Sequence, residues 1–202
     1  MEHKEEHTTT TGIDNRKMMI WVFLGSECMF FGSLIATYLI YFGRSISGPG
    51  LEILDIPTTS VSTFVLLMSS FMMVMAYSSI RQRKVKRFRV WIMCTAILGA
   101  TFLGFQFYEF TEFAHHYDLT PQTNLFGTTF FTLTGFHGAH VTVGVIWLVT
   151  LFGYSFYRKE DLIRDDALNV DFLALYWHFV DVVWIVIFTV VYLIGVRAAG
   201  VG

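Results

Sequence analysis

Residues 134–144 read TGFHGAHVTVG and set His137 and His140 one helical turn apart, inside the otherwise apolar run 126–156. A run of that length decides the fold, because roughly 20 apolar residues in a helix cross a hydrocarbon core of about 30 Å. Four more runs meet the same condition, 18–42, 58–80, 90–113 and 172–196, each bounded by charge or by turn residues such as Gly43, Gly48, Pro49, Gly50 and Pro121. Backbone groups in lipid must be satisfied within their own segment, so helices are the expected form. The expected fold is therefore all-α: one integral membrane bundle of five transmembrane helices over 18–202, behind a polar, flexible tail over 1–17 that lacks a signal-peptide core.

Bulk composition agrees. The chain has 202 residues, of which 54% are hydrophobic and only 15% charged, with a mean hydropathy of +0.54. Soluble domains carry about 25% charged residues. The net charge of −2 points to no particular partner, and no nucleic-acid surface is indicated. Cys28 and Cys94 sit alone in apolar runs, so neither a disulfide framework nor a zinc site is expected. No phosphate loop and no nucleophile elbow is present.

Basic residues orient the spans. Lys4, Arg16 and Lys17, the loop RQRKVKRFR (81–89), and Arg158, Lys159 and Arg164 fall on one side; Arg44 and Arg197 fall on the other. The N-terminus is expected to be cytoplasmic and the C-terminus outside.

Five ionisable side chains lie deep in these spans. At about 1.5 Å per residue, Glu27 and Asp181 each lie roughly 14 Å from the cytoplasmic end of their helices, with His178 one turn shallower. His137 and His140 enter from the other side, roughly 17 to 21 Å down. The pairs His137/His140 and His178/Asp181 are both spaced i,i+3, so each pair shares a helix face. A charge at the bilayer centre costs about 2.5–3.5 kcal/mol or more, so these groups should face protein. Two readings stay open on spacing: a buried hydrogen-bond network, or a proton path or metal site. Small residues at 28/32/36, 100/104 and 135/139 suggest close helix packing. Met68, Met72, Met73 and Met75 read as packing filler rather than copper ligands. Glu112 and His115 match half of a di-iron motif, but its partners are missing, and an interfacial patch is the expectation. A haem held by His178 and one of His137 or His140, as in a cytochrome b-type electron carrier, is the rival reading. A proton-coupled transporter is a further rival, disfavoured because neither inverted repeats nor paired broken helices are visible.

Three stretches then carry a resemblance: SECMFFGSLIATY (26–38), GTTFFTLTGFHGAHVTVG (127–144) and ALYWHFVDVVWIVIF (174–188), supported by STFVLLMSS (62–70) and QFYEFTEF (106–113). Over about 18–196 the chain resembles subunit III of the haem–copper respiratory oxidases, in its short five-helix bacterial form. The family commonly has seven helices, and this chain begins at what would be the third. Where the family tends to have an asparagine–threonine pair, this chain has Ser62–Thr63. A basic residue that contacts lipid phosphate in some members aligns near Tyr154, with Arg158 one turn later.

The resemblance implies an accessory subunit without catalytic residues, metal or haem of its own. Haem and copper belong to partner subunits I and II of an oxidase that reduces oxygen to water, pumps protons and takes electrons from cytochrome c or a quinol. It implies packing against subunit I, subunit IV as a further partner, bound phospholipid, and support of proton uptake or oxygen access in a bacterial cytoplasmic membrane. Glu27 matches the family's intramembrane glutamate and His140 a histidine near it. His137, His178 and Asp181 complete the motif, and all five are expected to form one buried polar network.

Overall fold

A computed structural model describes residues 15–44, 50, 53–157 and 167–195. Among the described residues five α-helices follow one another: α1 (Asn15–Tyr41), α2 (Ile56–Arg81), α3 (Val85–His116), α4 (Leu125–Tyr157) and α5 (Ala167–Ile187), the last continuing as a wider π-helical segment, Phe188–Gly195. All five are long and apolar enough to cross a membrane.

The helices outrun the apolar runs that predict them. The loop expected over 81–89 shrinks to a turn at residues 82–84, and Lys86, Arg87 and Arg89 already lie on α3. Apolarity marks the hydrocarbon boundary, whereas Lys and Arg are good helix formers that let the helix continue beyond it. The turn closes through the Lys84 N–H on the Ser79 carbonyl at 2.9 Å, with Arg83 at a left-handed φ of 59°. Asn124 caps α4, its Oδ1 accepting from the Gly127 N–H at 2.7 Å.

Helices α2, α3 and α4 pack in sequence, α1 lies against α4, and α5 runs through the middle, touching α1, α2 and α4. Accordingly 44% of the most apolar part of α5 is buried, against 17% for α1. Lys17 and Asp171, 3.4 Å apart, join the starts of α1 and α5 at one end of the bundle. Arg89 joins α3 to α4 at that end, donating to both Oγ and O of Ser155 with its guanidinium over the Phe156 ring.

Close packing falls at glycines other than the expected ones. Gly32, Gly104 and Gly135 have nothing within 4 Å of where a Cβ would stand. No neighbouring helix approaches these positions closely, so the small-residue spacing does not mark close helix contacts here. Gly99 on α3 and Gly144 on α4 instead hold the two sides of the Trp177 indole, with ring atoms 2.6 and 2.7 Å from a built Cβ. Trp177 is 1% exposed, so its ring has no free direction in which to retreat. Gly144→Ala should therefore destabilise the folded subunit by about 1–3 kcal/mol, the usual cost of overpacking. Gly104→Ala, with open space for its Cβ inside a helix, should be neutral or stabilising by up to about 1 kcal/mol. Unfolding in a denaturing detergent titration measures both, and equal effects would contradict the wedge.

Candidate functional site

The structure brings Glu27 and His140 together and places the other three groups elsewhere. Glu27 on α1 and His140 on α4 are 3.1 Å apart, Oε2 to Nε2. The opposite ring nitrogen, Nδ1, lies 2.7 Å from the Phe136 carbonyl, which only accepts, so Nδ1 carries a hydrogen. One proton then remains between Nε2 and the carboxyl. It sits on oxygen, giving a neutral acid and a neutral imidazole, or on nitrogen, giving an ion pair. Either way the pair has no net charge, which lowers the cost of holding it inside a membrane-spanning segment. Phe31 stands edge-on to the imidazole at 5.0 Å, and the Tyr176 hydroxyl donates to the His140 carbonyl at 3.0 Å. The pair is not sealed: the two side chains are 18% and 19% exposed on the outer surface of the bundle.

His178 and Asp181 address α2 instead. Ser70 Oγ lies 2.7 Å from His178 Nδ1, and the same hydroxyl is close to the Asp181 carboxyl, whose Oδ1 has no hydrogen-bond partner among the described residues. His137 takes part in neither group. It is fully buried, stacks on Trp184 at 4.8 Å and meets Phe102 edge-on at 5.8 Å, and neither ring nitrogen has a described hydrogen-bond partner. The expectation of one five-membered network is thus corrected to a pair, a serine-linked pair and an aromatic-packed imidazole. The reason is angular: residues three apart on a helix differ by about 60° in direction. That is enough for His137 to point into the core while His140 points to α1.

Two further positions were expected to touch lipid. Tyr154 is 36% exposed on the last turns of α4, beside the Arg89–Ser155 contact. Arg158 lies outside the described residues.

One polar cluster was missed by the sequence reading. Glu109 Oε1 accepts from Thr59 at 3.0 Å and from Tyr192 at 2.8 Å, joining α2, α3 and the π-helical segment at the end opposite Arg89. Only its place in QFYEFTEF hinted at it. Thr59 and Tyr192, its partners, are 50 and 83 residues away in the chain, so no local spacing could reveal them.

A bis-histidine haem does not fit these imidazoles. Both nitrogens of His140 are engaged, His137 is enclosed by Trp184 and Phe102, and the His178 Nδ1 faces Ser70. Among the described residues, no three His, Cys, Asp or Glu side chains group together in a way that could hold a metal. At the half-motif near the end of α3, Glu112 pairs with His116 at 3.9 Å on an exposed turn. Cys28 and Cys94 are free thiols.

The fold and the site define a class: a multi-pass helical membrane protein whose deep ionisable groups, the aromatic-packed His137 excepted, engage each other or neighbouring hydroxyls. The comparisons with known proteins go further. The sequence model of the family described as cytochrome c oxidase subunit III matches residues 2–196. Cytochrome c oxidase subunit 3 of Bacillus sp. (strain PS3) is 39% identical over 193 residues, 95% of this chain and 91% of that protein. The protein of that name from Bacillus subtilis (strain 168) is 38% identical over 182 residues, 90% of this chain and 87% of its own. A probable quinol oxidase subunit 3 of Staphylococcus saprophyticus is 39% identical over 186 residues, 91% of each chain. The chain belongs to the cytochrome c oxidase subunit III family. It is accordingly an accessory subunit of a multi-subunit haem–copper terminal oxidase.

The pair predicts a measurable coupling. In a double-mutant cycle with Glu27→Leu and His140→Leu, each single change strands a polar partner, while the double change removes both. The coupling should be about 0.6 kcal/mol and at most about 1.7 kcal/mol, the range for polar contacts between membrane helices. Unfolding of the subunit in mixed micelles reads it, and strictly additive losses would show that the contact carries no energy.

Proposed function

We propose that this chain is the cofactor-free subunit III of a proton-pumping oxidase in a bacterial cytoplasmic membrane, packed against subunit I and beside subunit II. The observation that carries the reading is the Glu27–His140 pair, 3.1 Å apart, at the outer surface of the bundle. A group that keeps zero net charge while its proton shifts between oxygen and nitrogen can sit at mid-depth without the cost of an isolated ion. It can also exchange that proton with a neighbour that approaches from the exposed side. That property suits steadying proton delivery into subunit I, where haem and copper carry out oxygen reduction. The long exposed apolar faces, including Trp21, Val22 and Met29 on α1, suit lipid and that larger neighbour.

The orientation proposed is N-terminus cytoplasmic and C-terminus outside. The end of the bundle that carries Lys17, Arg81, Arg83, Lys84, Lys86, Arg87 and Arg89 is the basic one, as cytoplasmic ends are. Tyr154, at that same end, is proposed to touch a phospholipid, with Arg158 as its cationic companion. Relatives named for cytochrome c and for quinol as donor are alike in identity to this chain, so the donor class is set on a neighbouring subunit. Whether the subunit that co-purifies with this chain bears a two-cysteine copper domain identifies it.

Glu27→Gln tests the role of the pair. The glutamine amide can still donate to His140 Nε2, so the geometry survives while the shared proton is lost. The purified oxidase should assemble with an unchanged haem spectrum, and its working lifetime or its proton uptake should change. Loss of the haem spectrum would make Glu27 a structural or metal-linked residue and defeat the reading.

A further inference from the structure

The basic end of the α2–α3 hairpin contains a groove of ≈ 390 Å³, lined by Met75 and Ser78 on α2, Gln82 in the turn, and Lys86, Arg87 and Trp91 on α3. Its chemistry is graded. Met75 and Trp91 make an apolar floor toward the middle of the span. Lys86 and Arg87, one turn nearer the helix end, make a cationic rim.

The two rim cations are uncommitted. Residues 81–89 carry six cations and no Asp or Glu. Arg81 lies over the Tyr77 ring, Lys84 donates to Gln82, and Arg89 is held by Ser155. Lys86 and Arg87 have no ion-pair or hydrogen-bond partner among the described residues, nor has the Trp91 indole N–H. Ser78 Oγ accepts from the Gln82 amide at 3.1 Å, which leaves its own proton free to donate. Four donor-bearing side chains, two of them charged, therefore line a groove that has no carboxylate from the described residues in its lining.

We propose that this groove binds one anionic phospholipid, its phosphate between Lys86 and Arg87, its glycerol region against Trp91 and Ser78, and an acyl chain along Met75 and Val90. Cations alone would suit any phosphate. The apolar floor, continuous with the membrane-spanning surface, selects a phosphate that carries hydrocarbon. Basic pockets between helices at the cytoplasmic face recognise such headgroups, and an indole at this level suits the interface. The inference rests on the membrane orientation proposed above. It is separate from lipid contact at Tyr154, which lies at the end of α4 rather than on the hairpin.

The intact oxidase decides it. The complex is stripped with detergent, reconstituted in vesicles of equal parts phosphatidylglycerol and phosphatidylcholine, repurified, and its retained lipid identified by mass spectrometry. Wild-type complex should retain phosphatidylglycerol in preference to phosphatidylcholine. At about 1 kcal/mol per cation, the Lys86→Gln/Arg87→Gln variant should bind this lipid about 30-fold more weakly. An Arg81→Gln/Arg83→Gln variant, with the same change of charge outside the groove, should keep it. Equal retention of both lipids by wild type, equal losses in the two variants, or displacement by inorganic phosphate would each overturn the proposal. The first and third readouts need only the wild-type complex, so a variant that fails to assemble does not remove the test.

Discussion

The seating of one indole organises this bundle. Trp177 projects from α5 between Gly99 of α3 and Gly144 of α4, and its N–H donates to Ser69 of α2 at 3.0 Å. Four helices are thereby referenced to a single rigid side chain. In lipid no hydrophobic drive presses helices together, because acyl chains are as apolar as leucine, so close packing and hydrogen bonds must do it. The wedge supplies both. Two turns on, Trp184 repeats the hydroxyl bond, its N–H on Thr63 at 2.9 Å, and between them His178 meets Ser70. The face of α5 that carries YWHFVDVVW is thus matched to the hydroxyls of STFVLLMSS on α2.

That match explains how the deep polar groups are distributed. A buried polar group without a partner is costly, and a satisfied one holds its helices in register. Where these groups are satisfied, it is in separate small sets: α5 to α2 through indoles and serines, α1 to α4 through Glu27 and His140, and α3 to α2 and the π-helical segment through Glu109. The Glu27–His140 pair differs from the others in lying at the rim, partly open to whatever adjoins α1 and α4. An accessory subunit with an interior fixed by α5 can present such a pair outward without loosening its own core.

Much of this was legible in the sequence. Five apolar runs set the five helices, and the depth of Glu27 and His140 from opposite ends brought them to one level. The resemblance named the family that the matched relatives share. What the sequence concealed was direction. Spacing placed His137 and His140 on one face, yet the helix turns His137 into the Trp184–Phe102 core and His140 toward α1. Spacing marked Gly32, Gly104 and Gly135 for close packing, whereas Gly99 and Gly144 meet the indole. Glycine makes close approach possible, but only the neighbouring helix determines which glycine is used. Glu109 stayed hidden because its two partners come from distant turns of other helices.

The central claim is that α5 locks the bundle by burying its indoles against α2 hydroxyls and helix glycines. The most direct measurement is a high-resolution electron cryomicroscopy map of the assembled oxidase in a lipid disc. Trp177 should appear edge-on between Gly99 and Gly144, with its ring nitrogen about 3 Å from Ser69 Oγ, an ordinary hydrogen-bond distance. An indole swung out toward the acyl chains, with α2 and α5 separated by lipid, would contradict the account.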